Sequence, residues 1–296
     1  HALEIVAFID EEGAYLGMLG SRAMTGNITD EDIDRSRGRD GEPLVAAMAR
    51  RGLDPAKVHR AARSAEEVAA YVELHIEQGP VLERAGCDIG VASSIVGLRT
   101  SQLCFCGEAN HAGTTPMTLR RDALRAAAET VAATFGCVNT DSDPSLRLTY
   151  GAIDVEPGAS NVVPSRALVT QEIRAATTES IDELFAEIVG LSKEIAERNG
   201  VAVEHEILQT DAPAPMSPRI MAAIEAAAYD LGLKQMALPS GAGHDAQYLA
   251  RLCDAGLIFV PSRDGVSHNP RECTEPTQLV AGAAVLLKTL ETLVTS

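Results

Sequence analysis

Residues 256–272 read GLIFVPSRDGVSHNPRE, an apolar run followed directly by a polar loop that contains His268. The run is short and is bounded by a glycine and a proline, which is typical of a buried strand. The sequence also predicts a helix on each side of it, Arg219–Leu231 before and Pro276–Val294 after. Strands that alternate with helices in this way indicate an α/β layered structure.

A different pattern occupies the middle of the chain. Within residues 99–208 the alternating and helical segments follow the order strand, helix, strand, strand, helix, strand. This is the order of a ferredoxin-like split βαβ unit, and the Pro-rich residues 211–218 after it indicate a linker. We therefore predict an α/β domain made of residues 1–93 and 212–296, with a βαββαβ domain inserted at 94–211.

The first residues combine an apolar stretch with a cluster of acids. Leu3–Ile9 predicts a buried strand, and Asp10, Glu11 and Glu12 follow it directly. Three adjacent carboxylates repel one another, so they indicate either a solvated turn or a site in which a cation lies among them. In the second case one carboxylate would bind the metal and its neighbour would act as a general base.

Composition limits the class of function. The 296 residues carry a formal net charge of −17, which disfavours binding to nucleic acid. We find no apolar run of the length that a membrane span requires. We therefore expect a small-molecule substrate and neither a nucleic-acid nor a membrane partner. Six cysteines without the spacing of a disulfide framework indicate a reducing, cytoplasmic location.

Three histidines stand in loops or at strand ends, where α/β proteins place ligands. Taken alone, each has an ordinary interpretation: His75 as a core residue, His111 as an exposed loop residue and His268 as part of a solvated turn. The motifs around them are longer and more specific than the histidines themselves.

Four motifs together resemble one family. FIDEEG (8–13), HIEQGP (75–80), NHAGTTPM (110–117) and FVPSRDGVSHNPRE (259–272) are similar to segments of the zinc-dependent amidases of the hydantoinase/carbamoylase family. That family includes N-carbamoyl-L-amino-acid hydrolases, allantoate amidohydrolases and ureidopropionases. The resemblance covers essentially the whole chain. It implies a zinc-peptidase-like, three-layer catalytic domain with an inserted ferredoxin-like lid and dimerisation domain.

The resemblance implies metal-binding and catalytic roles. Glu12, His75 and His268 match metal ligands of the family. Glu11 matches the general base. His111 matches a histidine that polarises the scissile carbonyl and stabilises the oxyanion.

The resemblance also implies residues that hold the substrate or support the site. Gln78, Asn161 and Arg174 match substrate-binding positions, and an arginine suits a substrate carboxylate because its fork binds two oxygens at once. His244 and Asp245, in SGAGHDAQ, are expected to orient a ligand rather than to bind metal themselves.

The implied cofactor is zinc, two ions per site in the complete family, with Mn, Co or Ni as alternatives. The family takes its first metal-binding His and a bridging Asp from a segment of the type HxDTV…GGxxDG, which this sequence lacks. We therefore expect an N-terminally truncated member with weakened metal binding. The resemblance further implies a homodimer.

The implied reaction is metal-dependent hydrolysis of a linear amide or ureido C–N bond, in an N-carbamoyl-L-amino acid or a ureido acid such as allantoate. Arg99-Thr100 stands where allantoate-specific members tend to have a pair of arginines, which favours a carbamoyl amino acid. Two alternatives stay open. In the first, the chain is an inactive homologue that acts only as a dimerising scaffold. In the second, it is an aminoacylase or peptidase of the same clan.

Overall fold

The computed structural model describes residues 2–295 of the chain. The fold divides into two compact units: Val96–Pro213 forms the second, and the described residues before and after it form the first. The sequence placed the inserted domain at 94–211, two residues earlier at each end.

The regular elements of the described residues are numbered in chain order. The strands are β1 (Ala70–Ile76), β2 (Ile89–Ile95), β3 (Gly97–Cys106), β4 (Asn110–His111), β5 (Arg147–Glu156), β6 (Val162–Val163), β7 (Arg166–Ala175), β8 (Ala202–Asp211), β9 (Ala214–Pro215), β10 (Gln235–Ser240) and β11 (Asp254–Val260). The α-helices are α1 (Leu19–Met24), α2 (Asp30–Arg35), α3 (Leu44–Arg50), α4 (Val81–Ala85), α5 (Ala123–Thr134), α6 (Thr178–Arg198), α7 (Pro218–Asp230), α8 (Asp245–Leu249) and α9 (Pro276–Thr295). Short 3-10 helices lie at Pro55–Ala61, Met117–Leu119, Phe135–Cys137 and Arg263–Gly265.

The first unit is built on a mixed sheet in the order β1-β11-β2-β10, with β9 paired to β2. β1 runs parallel to β11, and β11 runs antiparallel to β2. Ile258 and Val260 of β11 face a core that contains side chains of α7 and α9, whereas Leu257 and Phe259 face a second core that contains Ala246 of α8. Both faces of the sheet are covered, which explains why β11 is a continuous apolar run. The predicted α/β fold is confirmed.

The second unit contains a four-stranded antiparallel sheet in the order β5-β7-β3-β8. α5 and α6 pack on one face of it, around a core that includes Phe105, Ile173 and Ile188. Each helix begins at a side-chain cap, Asp122 for α5 and Thr177 for α6. The chain order β3, α5, β5, β7, α6, β8 is the predicted ferredoxin-like arrangement, which is confirmed.

One predicted element is wrong. Leu3–Ile9 has no regular secondary structure, and Ile5 within it is 93% exposed. A strand is stable only when a neighbour accepts its backbone hydrogen bonds, and none of the described strands pairs with this segment. Its apolar composition was therefore not sufficient to form a strand.

One described helix, α9, is long and apolar enough to cross a membrane by length and composition alone, with a mean hydropathy of 1.3 over the relevant window. The helix includes Lys288 and Glu291, so it is not an uninterrupted apolar run of that length. A single such helix is weak evidence, because a helix of a layered domain passes the same test. α9 packs against α7, β1 and β11, and its Gly282 lies close to Leu74 and Val260.

Candidate metal centre and active site

Two neighbouring parallel strands bring the first candidate loops together. β1, which carries His75, pairs with β11, so the loops that follow the two strands leave the same edge of the sheet. The backbone N–H of Gln78 donates to Ser262 Oγ at 3.0 Å. Gly265 has a φ of 64°, and a Cβ at this position would lie 2.7 Å from the nitrogen of Pro80. A glycine is therefore required where the two loops pack on each other.

Of the three adjacent acids, one has a structural role and two are candidates for metal binding or catalysis. The Asp10 carboxylate accepts hydrogen bonds from three consecutive backbone N–H groups, those of residues 14–16, at 2.6, 3.0 and 2.8 Å. Asp10 therefore fixes the turn that follows it. Glu11 and Glu12 make none of these turn contacts and are the candidates for a metal ligand and a general base.

Glu11 lies among charges from several elements. Burial raises the pKa of Glu11, and the carboxylates of Glu12 and Asp245 raise it further, whereas His75 and His268 lower it. The side chain is half-buried. Both predicted histidine ligands are therefore close enough to influence this carboxylate.

The structure brings Glu11, His75 and His244 into one group, which we call the donor cluster. One ligand atom of each lies within 4.8 Å of the other two. The two imidazole rings are 4.5 Å apart between centroids and meet edge to face. Within residues 2–295, no other group of three His, Cys, Asp or Glu side chains meets this closely.

The hydrogen bonds of the two rings leave a nitrogen on each for a metal. His75 Nδ1 lies 2.8 Å from the carbonyl oxygen of Ile76. Because a carbonyl only accepts, Nδ1 carries the proton and Nε2 keeps its lone pair. His244 Nε2 bonds to Ser240 Oγ at 2.8 Å, while its buried Nδ1 has no hydrogen-bond partner among the described residues. Imidazole nitrogens with a carboxylate are donors that suit Zn²⁺ and similar ions, so the residues present fit a divalent cation.

Burial also determines the charge of His244. Desolvation lowers the pKa of His244 to about 3, so the ring is neutral at neutral pH. A metal ligand must be neutral imidazole rather than imidazolium. The sequence assigned His244 an orienting role, whereas the structure places it in the donor cluster itself.

Glu12 and His268, the other two predicted ligands, lie next to each other. Glu12 Oε2 is 3.7 Å from His268 Nε2, and both side chains are exposed. Glu272 orders this loop, because its carboxylate accepts from Ser267 Oγ at 2.9 Å and from the backbone N–H of His268 at 3.0 Å. The structure thus pairs Glu12 with His268 but does not place either in the donor cluster with His75.

Glu73 is a site residue that the sequence reasoning missed. Its carboxylate accepts from Tyr71 Oη at 3.1 Å and from the backbone N–H of Ala246 at 2.9 Å, and it lies 3.7 Å from His244 Nδ1. Burial raises the pKa of Glu73 well above its ordinary value. Strand alternation could have identified Glu73 from the sequence, because it places Glu73 on the same face of β1 as His75.

Gln78 and Asp245 each carry a buried oxygen that has no hydrogen-bond partner among the described residues. Burial also raises the pKa of Asp245. Gln78 has a left-handed φ of 60°, as do Asp10 and His268 at 57° and 53°. These are three of the five such non-glycine residues in the described chain. Backbone strain of this kind concentrates at functional sites.

The second unit contains the remaining candidates. His111 lies in β4, and the backbone N–H of Ala112 after it donates to the carbonyl oxygen of Asn161 at 2.9 Å. Arg174 lies on β7, where its Nε donates to Glu172 Oε1 at 2.6 Å. The structure therefore brings His111 and Asn161 together, and it pairs Arg174 with a carboxylate of its own strand.

Arg99 is held by the helix layer of the same unit. Its guanidinium lies 2.7 Å from Asp182 and 5.0 Å from the ring centroid of Phe185. Only 12% of the side chain is exposed. Arg99 is therefore held against α6 through one end of its guanidinium, while its buried Nε has no hydrogen-bond partner among the described residues.

Comparison with known proteins identifies the family. The sequence profile described as peptidase family M20/M25/M40 matches residues 1–292. An N-carbamoyl-L-amino-acid amidohydrolase from Paenarthrobacter aurescens is 39% identical over 295 residues, which are 99% of this chain and 71% of that protein. The chain belongs to peptidase family M20/M25/M40.

Two further M20 relatives are similar over almost the same length. Allantoate amidohydrolase from Bacillus subtilis is 38% identical over 96% of this chain and 69% of its own. The crystal structure of a hydantoinase/carbamoylase-family amidase from Burkholderia multivorans has a TM-score of 0.81 and 32% identity, over 95% of this chain and 67% of that one. The aligned regions span 67–71% of the lengths of these three relatives, and the expected N-terminal truncation stays a prediction from the motifs.

Membership of the M20 family confirms the resemblance found in the motifs. It also makes the chain a hydrolase that acts on C–N bonds. Enzymes of the M20 family depend on metal, and the donor cluster is a possible metal-binding group in this chain. The roles predicted for individual residues stay predictions.

Proposed function

We propose that this chain hydrolyses a ureido C–N bond, in an N-carbamoyl-L-amino acid or a ureido acid such as allantoate. The donor cluster carries the proposal, because two imidazoles and a carboxylate meet where the family motifs converge. The names of the relatives support this substrate class. The ion pair of Arg99 Nη2 with Asp182 of α6 supports a carbamoyl amino acid over allantoate, since that nitrogen is already engaged within the second unit.

We propose zinc as the ion, with Mn, Co or Ni as alternatives. His75, Glu12 and His268 are the proposed ligands, and His244 is a further donor. The free lone pairs on the rings of His75 and His244 support these two histidines, and the pairing of Glu12 with His268 supports the other two ligands. When bound, such an ion supplies Lewis acidity, which polarises a carbonyl oxygen and acidifies water.

Glu11 is the proposed general base. Its carboxylate takes a proton from the attacking water and delivers it to the leaving nitrogen, which then departs as the amine. The half-buried position of Glu11 beside His75 supports this role. Asp245, whose carboxylate raises the pKa of Glu11, is proposed to help hold the site in place.

The substrate is held by polar groups with defined chemistry. His111 is proposed to donate to the carbonyl oxygen as negative charge develops on it. Arg174 and Asn161 are proposed to bind the carboxylate end. Gln78 is proposed to accept from a substrate N–H, which the unpartnered Oε1 of this side chain supports.

Glu172 competes with a substrate carboxylate for Arg174, because its Oε1 already accepts from Arg174 Nε. We expect Glu172→Gln to lower KM about two- to fivefold with kcat unchanged, since a partly exposed ion pair of this kind is worth on the order of 1 kcal/mol. Steady-state kinetics with an N-carbamoyl amino acid measure the effect. Glu156→Gln is the matched control, because Glu156 pairs with Arg166 on the same sheet. An unchanged or raised KM in Glu172→Gln would remove Arg174 from the carboxylate site.

We also propose a homodimer formed through an edge strand of the second unit. The strand order leaves β5 and β8 as edges, and Ile153 and Ile207 on them are about half exposed. Sedimentation velocity is expected to show a dimer, and a monomer at all accessible concentrations would rule the proposal out.

A cytoplasmic location is proposed as well, supported by six free cysteines, and secretion of the natural protein would contradict it.

The proposed function is tested with a panel of substrates and added divalent metal. The panel contains an N-carbamoyl-L-amino acid, allantoate, an N-acetyl amino acid and a dipeptide, assayed for ammonia and for free amine. We expect ammonia release from the ureido compounds. Amine release from only the acetyl compound or the dipeptide would favour the aminoacylase or peptidase alternative. No product from any of them would favour the inactive scaffold.

A further inference from the structure

The imidazole of His111 is bonded to the turn that follows it. Its Nδ1 lies 3.1 Å from the backbone nitrogen of Gly113 and 3.2 Å from that of Thr114, and both N–H groups donate to it. Gly113 allows this close approach, because a Cβ there would lie 3.2 Å from Cε1 of the ring. The turn therefore forms a seat for one edge of the imidazole.

This seat selects one tautomer of His111. A backbone N–H has its hydrogen in a fixed direction and only donates, so Nδ1 must offer a lone pair to Gly113 and Thr114. A proton on Nδ1 would point at two other N–H groups. In the neutral ring the proton therefore lies on Nε2, which leaves Nε2–H as the donor of His111.

Arg120 holds the turn in this conformation. Its Nε donates to the carbonyl oxygen of Thr115 at 3.1 Å, and its Nη2 donates to the carbonyl oxygen of Ala112. These two carbonyls flank Gly113 and Thr114 in the chain. One rigid guanidinium fork therefore fixes both ends of the segment whose N–H groups seat the imidazole.

We infer that Arg120 is a positioning residue, whose guanidinium bonds to Ala112 and Thr115 hold the turn that keeps His111 as an Nε2–H donor. The inference rests on the proposed function for the use made of that donor, since an oxyanion needs an N–H aimed at it. Arg120 itself touches no reacting atom. Its contribution is the orientation and the tautomer of the ring that does.

The neighbouring residue provides a matched control. Arg121 is exposed, and within residues 2–295 its side chain makes one long ion pair, with Glu108 at 3.8 Å. Arg121→Ala removes the same charge from the same loop without touching the carbonyls of Ala112 and Thr115. Arg120→Lys keeps the charge and most of the stem but cannot bond to two carbonyls as a planar fork.

The tautomer is measured directly by NMR. The full chain is labelled with ¹⁵N-histidine and studied about two pH units above the ordinary histidine pKa, and the His111 signal is assigned by its loss in His111→Gln. We expect the wild-type ring to show an acceptor-type Nδ1 and a protonated Nε2. Arg120→Ala is expected to give averaged nitrogen shifts, Arg120→Lys a smaller change in the same direction, and Arg121→Ala the wild-type spectrum.

Kinetics on the same variants provide the second readout. We expect Arg120→Ala to lower kcat by up to about a hundredfold with little change in KM, because a misplaced donor affects mainly the transition state. A wild-type tautomer in both Arg120 variants would overturn the inference, whatever their activity. A tautomer that changes as expected in a chain that hydrolyses no ureido compound would refute the proposed function and leave the inference standing.

Discussion

Glu11→Gln is expected to lower kcat for an N-carbamoyl amino acid by about 10²- to 10⁴-fold, the range for loss of a general base. Glutamine keeps the shape of the side chain but cannot take a proton from water. Because Glu11 is not among the proposed ligands, the change is expected to leave metal binding and KM close to wild type. Steady-state kinetics and metal analysis of the same protein separate these effects.

Glu12→Gln is the matched control, because it makes the same change at the adjacent position. Glu12 lies beside His268 rather than in the donor cluster. We expect Glu12→Gln to weaken metal binding, and excess metal to restore part of its activity. Loss of metal from Glu11→Gln in proportion to its loss of activity would show that Glu11 is a ligand and not the base.

His111→Ala is expected to lower kcat by about 10²- to 10³-fold, the cost of removing one donor to an oxyanion. The proposed metal ligands belong to the other unit, so metal content is expected to stay at the wild-type level. The donor acts on charge that appears only in the transition state, so KM is expected to change little. Kinetics with an N-carbamoyl amino acid test both expectations.

His59→Ala is the control for this substitution. His59 is an exposed histidine that bonds to Asp30, outside every candidate motif. Its removal is expected to leave kcat and KM unchanged. An increase in KM alone for His111→Ala would indicate that His111 binds the ground state of the substrate, and an unchanged kcat would remove it from the reaction.

The fold was predictable where local pattern and tertiary environment agree. β11 is buried on both faces, so its apolar run identifies it as a strand. The second unit follows its alternation because one face of β7 is buried and the other is not. Leu3–Ile9 has equally apolar residues but no neighbouring strand, and strand formation depends on that neighbour rather than on composition.

The candidate site was predictable as a set of residues but not as a set of contacts. Motifs identified His75 and Glu11, which the structure brings together. The inclusion of His244 depends on the packing of α8 against β1 and β11, which no local pattern reveals. No local pattern reveals the pairing of Arg99 with Asp182 either, because the two residues lie far apart in the chain.

Metal binding by the two histidines of the donor cluster is the central claim, and titration of the metal-stripped chain with Zn²⁺ tests it most directly. We expect saturable binding to the wild-type chain and to His59→Ala. We expect binding at least about a hundredfold weaker in His75→Ala, because the removed ring is a ligand itself and even residues that only orient ligands are worth 10- to 100-fold. No saturable binding to the wild type, or equal binding by His75→Ala, would contradict the claim.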